Sequence, residues 1–324
     1  MAEFLPLKSI GDIHKYCLTN GIQDALIEYF DWGLLDVGNY FNVTLGESSP
    51  DGYDYSKLRL ANDPNYVDGQ VWEGFRKNWV WQTGVDYTPA PLVGEDENNL
   101  GVSGVYVNDA FHPNTTTGDY SHYIDHFNGR VIFDNPISTT SKVQAEFSYK
   151  WVNVVYANNV PWLREIQTDT MEPTSSFYEK DKSSWNVPPE ARLQLPAIAI
   201  EVVPTRKFKP YQIGGGQWVY TDVLFHCIAE DEMTRNKLLD IVSLQSDKTI
   251  SLLDMNSISE NNDYPLDYRG VPVPSALIYP DLLETYDGGK LKFTNVTVQD
   301  MKMVGQDIFG GVVRYTTEGI KLNI

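Results

Sequence analysis

"PYQIGGGQWVYTDVLFH", Pro210 to His226, places three consecutive glycines, Gly214 to Gly216, between two apolar runs. A phosphate-cradling loop needs a helix opening straight after its glycines, so that backbone N–H groups and the helix dipole face the anion. Here the following residues alternate instead. Val219, Val223, Phe225 and Cys227 fall on one face of a strand, and Trp218, Tyr220 and Asp222 on the other. No Lys-Ser or Lys-Thr pair follows the glycines, so the stretch reads as a hairpin turn between two strands.

The pattern extends outward from that turn. "PAIAIEVVP" precedes it as a strand, and "DEMTRNKLLDIVSLQ" follows as a helix with Met233, Leu238, Ile241, Val242 and Gln245 on one face. Glu230, Asp231 and Glu232 sit where the positive end of the helix dipole favours acids. "KTISLLDMN", "KLKFTNVTVQDMKMVG" and "GGVVRYTTEGIKLNI" supply further strands.

Toward the N-terminus, Ile22, Leu26, Tyr29, Phe30, Leu34 and Val37 recur at helical spacing, after a cap at Asn20 and up to a stop near Gly38. "NYFNVTLGE" follows as a strand. Trp72, Phe75, Trp79 and Trp81 crowd into ten positions, which reads as a local aromatic core in preference to a sugar-stacking groove. Asn128-Gly129 between apolar alternations predicts a hairpin. From Lys142 to Ala157 apolar residues occupy every second position, which predicts one long strand with Gln144, Glu146, Ser148 and Lys150 facing solvent. Residues 168–195 are rich in Pro, Ser and charge and read as a linker or extended arm.

The expected fold is therefore α+β and β-rich. An N-terminal helix and antiparallel β domain (residues 1–167) precede the arm, and a sandwich-like α/β domain, an antiparallel sheet with a packed helix, occupies residues 196–324.

A formal charge of −19 opposes any grip on a nucleic-acid backbone or an anionic membrane. No window reaches the length of an apolar span, and "MAEFLPLKSIGDIHKY" lacks the pattern of a signal peptide. Cys17 and Cys227 read as unpaired thiols of a reducing compartment. His122 and His126 have the spacing of helical metal ligands, but on a strand they stand about 13 Å apart, and they read as solvent-facing. No Ser nucleophile in a Gly-x-Ser-x-Gly setting is present, and neither cysteine adjoins a plausible base. With 44 acidic residues, a glycosidase pair has no distinguishing signature. No catalytic, cofactor or metal residue is assigned.

"LPAIAIEVVP", "KPYQIGGGQWVYTDVLFHCIAEDEMTRNKLLDIVSLQSDKTISLLDMN" and the earlier "YSHYIDHFNGRVIFDNPISTTSKVQAEFSYKWVNVVYA" together resemble neck, head-to-tail connector and tail-terminator proteins of tailed bacteriophages, especially marine and cyanobacterial ones. The resemblance covers about half of the chain. It implies a non-enzymatic virion protein at the head-tail junction, assembled in the host cytoplasm as a ring, hexameric in tail terminators. Its neighbours would be neck or connector proteins and tail-tube or sheath proteins, with DNA passing through an acidic lumen unheld and no membrane or cofactor involved. Phe177, Tyr178 and Trp185 in the arm would anchor a neighbouring copy, joined by Trp218 and Tyr220 on the outward strand face. A baseplate or tail adaptor and a glycan-binding or glycan-cleaving tail protein are the alternatives.

Overall fold

The hairpin around the glycines forms from two of the longest strands in the chain. β11 (Ala197–Gln212) and β12 (Gly215–Ala229) run antiparallel from Ala197↔Ile228 to Gln212↔Gly215, with one irregularity between Val202 and Arg206. The alternation of β12 is realised as read: Val219, Val223, Phe225 and Cys227 are buried, while Trp218, Tyr220 and Asp222 occupy the opposite face. The structure, a computed structural model, describes residues 18–50, 52–82, 101–157, 193–212, 215–305 and 308–321.

Among the described residues, ten short strands precede this hairpin. They are β1 (Tyr40–Val43), β2 (Arg59–Leu60), β3 (Val71–Glu73), β4 (Gly104–Val107), β5 (Ala110–Pro113), β6 (His122–Asp125), β7 (Arg130–Phe133), β8 (Val143–Gln144), β9 (Phe147–Lys150) and β10 (Asn153–Tyr156). Helix α1 (Leu18–Asp36) lies before them. After the hairpin come helix α2 (Glu232–Ser243), β13 (Thr249–Leu253), the short helices α3 (Met255–Asn261) and α4 (Leu282–Thr285), then β14 (Asp287–Gly305) and β15 (Ile308–Lys321). The fold is mixed α+β and strand-rich, with an N-terminal helix and a largely antiparallel sheet, as expected.

The largest sheet has the order β10-β11-β12-β15-β14-β13. All its pairings are antiparallel except the short one between β10 and β11. Helices α1 and α2 cover one face. Ile22, Leu26 and Phe30 from α1 and Leu238, Leu239 and Val242 from α2 share a core with Ile198, Val223, Phe225, Phe293, Val313 and Tyr315. The N-terminal helix thus fills the core of the C-terminal sheet, although the sequence groups it with the β strands that follow it.

Helix α1 ends in a Schellman motif. Gly38 takes the left-handed conformation (φ +93°), its N–H bonds Leu35 O at 3.0 Å, and the Asn39 N–H bonds Leu34 O at 3.0 Å. Asn39 then clamps Val152 by donating to its carbonyl at 2.8 Å and accepting from its N–H at 2.7 Å. The helix already runs through Asn20, which is therefore interior and does not cap it.

In α2 the cap is Asp231, whose carboxylate accepts from Thr234 N at 2.7 Å. The buried stripe is Arg235, Leu238, Leu239 and Val242. Met233 falls off that stripe and is 78% exposed, contrary to the sequence reading.

A second core gathers Trp72, Phe75, Trp79, Val105, Val131, Phe133 and Phe147 beneath three small sheets: β2-β3-β7-β6, β5-β4-β8 and β1-β9. The Asn128-Gly129 hairpin joins β6 to β7, in register from His122↔Phe133 to Asp125↔Arg130. The long strand expected from Lys142 to Ala157 is three strands, β8, β9 and β10, and each belongs to a different sheet. Its supposed solvent face is also a correction, because Gln144, Ser148 and Lys150 are buried against polar partners. Gln144 donates to Asp54 Oδ2 at 2.6 Å, Ser148 donates to Asn42 Oδ1 at 2.6 Å, and Lys150 pairs with Asp31 at 2.5 Å.

Candidate self-association interface

Beyond the terminal strands β10 and β13, two further stretches of the large sheet have an outer edge that no strand among the described residues pairs with. β10 covers β11 only from Ala197 to Ile200, leaving Glu201 to Gln212 open. β13 covers β14 only from Asp287 to Lys292, leaving Thr294 to Gly305 open. The open part of β11 lies beside β12 from Leu224 to Gly215, and thereby beside the C-terminal end of β15. The open part of β14 lies beside the N-terminal end of β15. These open edges therefore occupy diagonally opposite corners of the sheet.

Both edges are interrupted. Pro204 and Pro210 remove N–H donors from β11, and irregularities flank Val296 to Asp300 in β14. The regular donor-bearing stretches that remain, Arg206 to Lys209 and Val296 to Asp300, are both short. Their side chains differ in charge. Arg206, Lys207 and Lys209 surround the half-exposed Phe208 in β11. At the β14 corner Asp300 and Glu232 both contact Arg235, next to Asp231, while Val296 and Val298 are exposed.

Trp218 and Tyr220, expected at an interface, stand on the outward face of β12 at the base of the basic corner. Tyr220 pairs with Lys207 across the hairpin, and Lys209 Nζ lies 4.9 Å from its ring centroid. Phe177, Tyr178, Trp185 and the arm at 168–192 lie outside the described residues; Leu195, at its end, is buried and accepts from Arg76 at 3.2 Å. The sequence reading missed the basic corner, although three cations within four positions of so acidic a chain mark it.

The histidines are not solvent-facing. His126 is 1% exposed and bridges two loops, accepting from Val102 N at Nε2 (3.2 Å), which leaves Nδ1 as donor to Gly270 O (3.3 Å). Burial pulls its pKa down to about 4. His122 is also buried, which lowers its pKa. Among the described residues no group of three or more His, Cys, Asp and Glu is placed to hold a metal ion. Trp72 and Trp79 belong to the second core, as read from their crowding, and so do not line a sugar groove. Cys227 is a buried free thiol, its pKa pushed up to about 12 by burial, while Cys17 lies outside the described residues. No helix among the described residues is long and apolar enough to cross a membrane. In comparisons with known proteins, no family model matches the chain and no curated protein matches it.

Proposed function

We propose that this chain is a non-enzymatic structural subunit of a tailed-phage virion. It joins copies of itself into a ring at the head-tail junction, ends tail-tube growth and connects the tail to the neck. The observation that supports self-association is the diagonal placement of two open edges, of which the β11 edge is basic. Edges at opposite corners pair head to tail, and a head-to-tail contact generates a ring when its rotation closes. An isologous dimer through the β11 edge would set like charges together at the basic corner. The formal charge of −19 suits a lumen through which DNA moves without sticking. The station in the virion rests on the resemblance read in the sequence.

Light scattering on the purified chain, followed by negative-stain imaging, tests the assembly. A closed ring of about six subunits is the result expected from the tail-terminator resemblance, by head-to-tail closure. A strict monomer at all concentrations overturns self-association, and immunogold label away from the head-tail junction of the virion overturns the assigned station.

A further inference from the structure

Beside helix α1 a cavity of about 90 Å³ opens between α1, the segment ending at Gln82, β10, and the α3–α4 region. Its walls include the rings of Trp32, Trp81 and Tyr279, with Trp32 and Tyr279 tilted at 5.8 Å between centroids. Asp24 and Glu28, one helical turn apart on α1, also line it. Gln82 lines it too, is 6% exposed, and directs its amide N–H to Asp31 Oδ2 at 3.3 Å. Its Oε1 has no hydrogen-bond partner among the described residues.

These features have one chemical sense. The carboxylates of Asp24 and Glu28 and the orphaned amide oxygen are acceptors, and aromatic faces are negative at their centres. Lys150 is the cation beside this cluster, and it is paired with Asp31. Burial, with Asp31 and Asp24 adding like charge, pushes the Glu28 carboxyl up to about 7. The cavity is far smaller than the roughly 300 Å³ at which drug-sized sites begin, so it excludes a nucleotide.

We propose that this cavity binds a small organic cation of the guanidinium or alkylammonium class. The charged head sits between Glu28 and Asp24, with Gln82 beside them, and the aromatic rings of Trp32, Trp81 and Tyr279 enclose its stem. The cation is either a free small molecule or the tip of an Arg or Lys side chain from another copy.

The test is a calorimetric titration of the full chain with ethylguanidinium chloride, with neutral ethylurea as the shape control and tryptophan fluorescence as a second readout. Saturable binding of ethylguanidinium, no binding of ethylurea, and at least a tenfold loss of affinity in Glu28→Gln are expected. Equal responses to the two probes, or unchanged affinity in Glu28→Gln, overturn the proposal. If Glu28→Gln fails to fold, Trp81→Leu is read in its place with the same criterion. Light scattering during the titration identifies the source. A fall in mass as the probe saturates points to a neighbour's side chain, an unchanged mass points to a free ligand, and both support the site. A chain that never associates still reports on the cavity, so this test stands or falls apart from the ring.

Discussion

The guanidinium of Arg235, on the buried face of α2, reaches Asp300 on the open strand β14. It also donates to Gly310 O at 3.2 Å and to Glu232 Oε1 at 3.2 Å. The Arg235 side chain is 2% exposed, whereas Asp300 is 51% exposed. Removing Asp300 leaves this buried cation with one of its two carboxylate partners, while removing Arg235 as well takes the buried charge away. Asp300→Ala should destabilise by about 1–2 kcal/mol, and adding Arg235→Met should recover part of that loss. Urea denaturation of the two single variants and the double variant measures this; strict additivity would show that the pair does not couple.

The open edges predict a separation of folding from assembly. Val296→Lys with Val298→Lys places charge where the β14 edge would meet another strand, as natural edge strands do. The expected result is a shift to monomer mass with the melting temperature of the monomer kept. Melting of the monomer itself would show that the two valines serve the subunit's own core.

Charge at the other corner gives a salt prediction. Arg206→Glu with Lys207→Glu should weaken association, and raising the ionic strength from about 0.1 M to 1 M should weaken the wild type as the screening length falls from about 10 Å to 3 Å. Sedimentation at both salt concentrations decides. Association that strengthens with salt would point to an apolar contact.

His126 predicts an acid-sensitive fold. Its folded pKa is lowered to about 4 from an ordinary 6.5, so between those values the unfolded chain binds the extra proton. Stability from this group is complete above pH 6.5 and is lost as the pH falls toward 4, on the order of 3 kcal/mol. Glu28 acts in the opposite sense. Its folded pKa is raised to about 7, so its contribution is complete below about 4.5 and is lost as the pH rises through 7. Denaturation midpoints of His126→Gln across pH 4–7 should show a flatter acid limb than the wild type.

Gly129 closes the β6–β7 hairpin at φ +62°, and a Cβ there would stand 2.4 Å from Arg76 O. Gly129→Ala should cost several kcal/mol, at the strained-backbone end of single substitutions. A loss below about 1 kcal/mol would mean that the Arg76 segment yields readily.

The large sheet was legible because its central strands are long and one face is largely apolar. Val219, Val223, Phe225 and Cys227 keep a period of two that only Thr221 interrupts, and the glycines mark the turn. The run from Lys142 to Ala157 has the same period but changes partner twice, from β4 to β1 to β11, and periodicity does not record partners. Gln144, Ser148 and Lys150 are polar yet buried, because Asp54, Asn42 and Asp31 arrive from distant segments to satisfy them. His126 was misplaced for the same reason: its neighbours at Val102 and Gly270 are remote in sequence. Trp218 and Tyr220 were legible as outward-facing, but the open edges were not, since an edge is defined by how far neighbouring strands extend.

The position of β15 within the sheet bears on synthesis. Although it is the last strand described, it lies between β12 and β14 and carries Val313 and Tyr315 into the core that α1 entered first. While the chain is still on the ribosome, β12 and β14 lack the strand that joins them, and α1 has no finished surface to dock on. Such long-range closure makes folding wait for late residues. β12 and β14 are joined only through β15, so the two open edges become parts of one sheet only after β15 has been made.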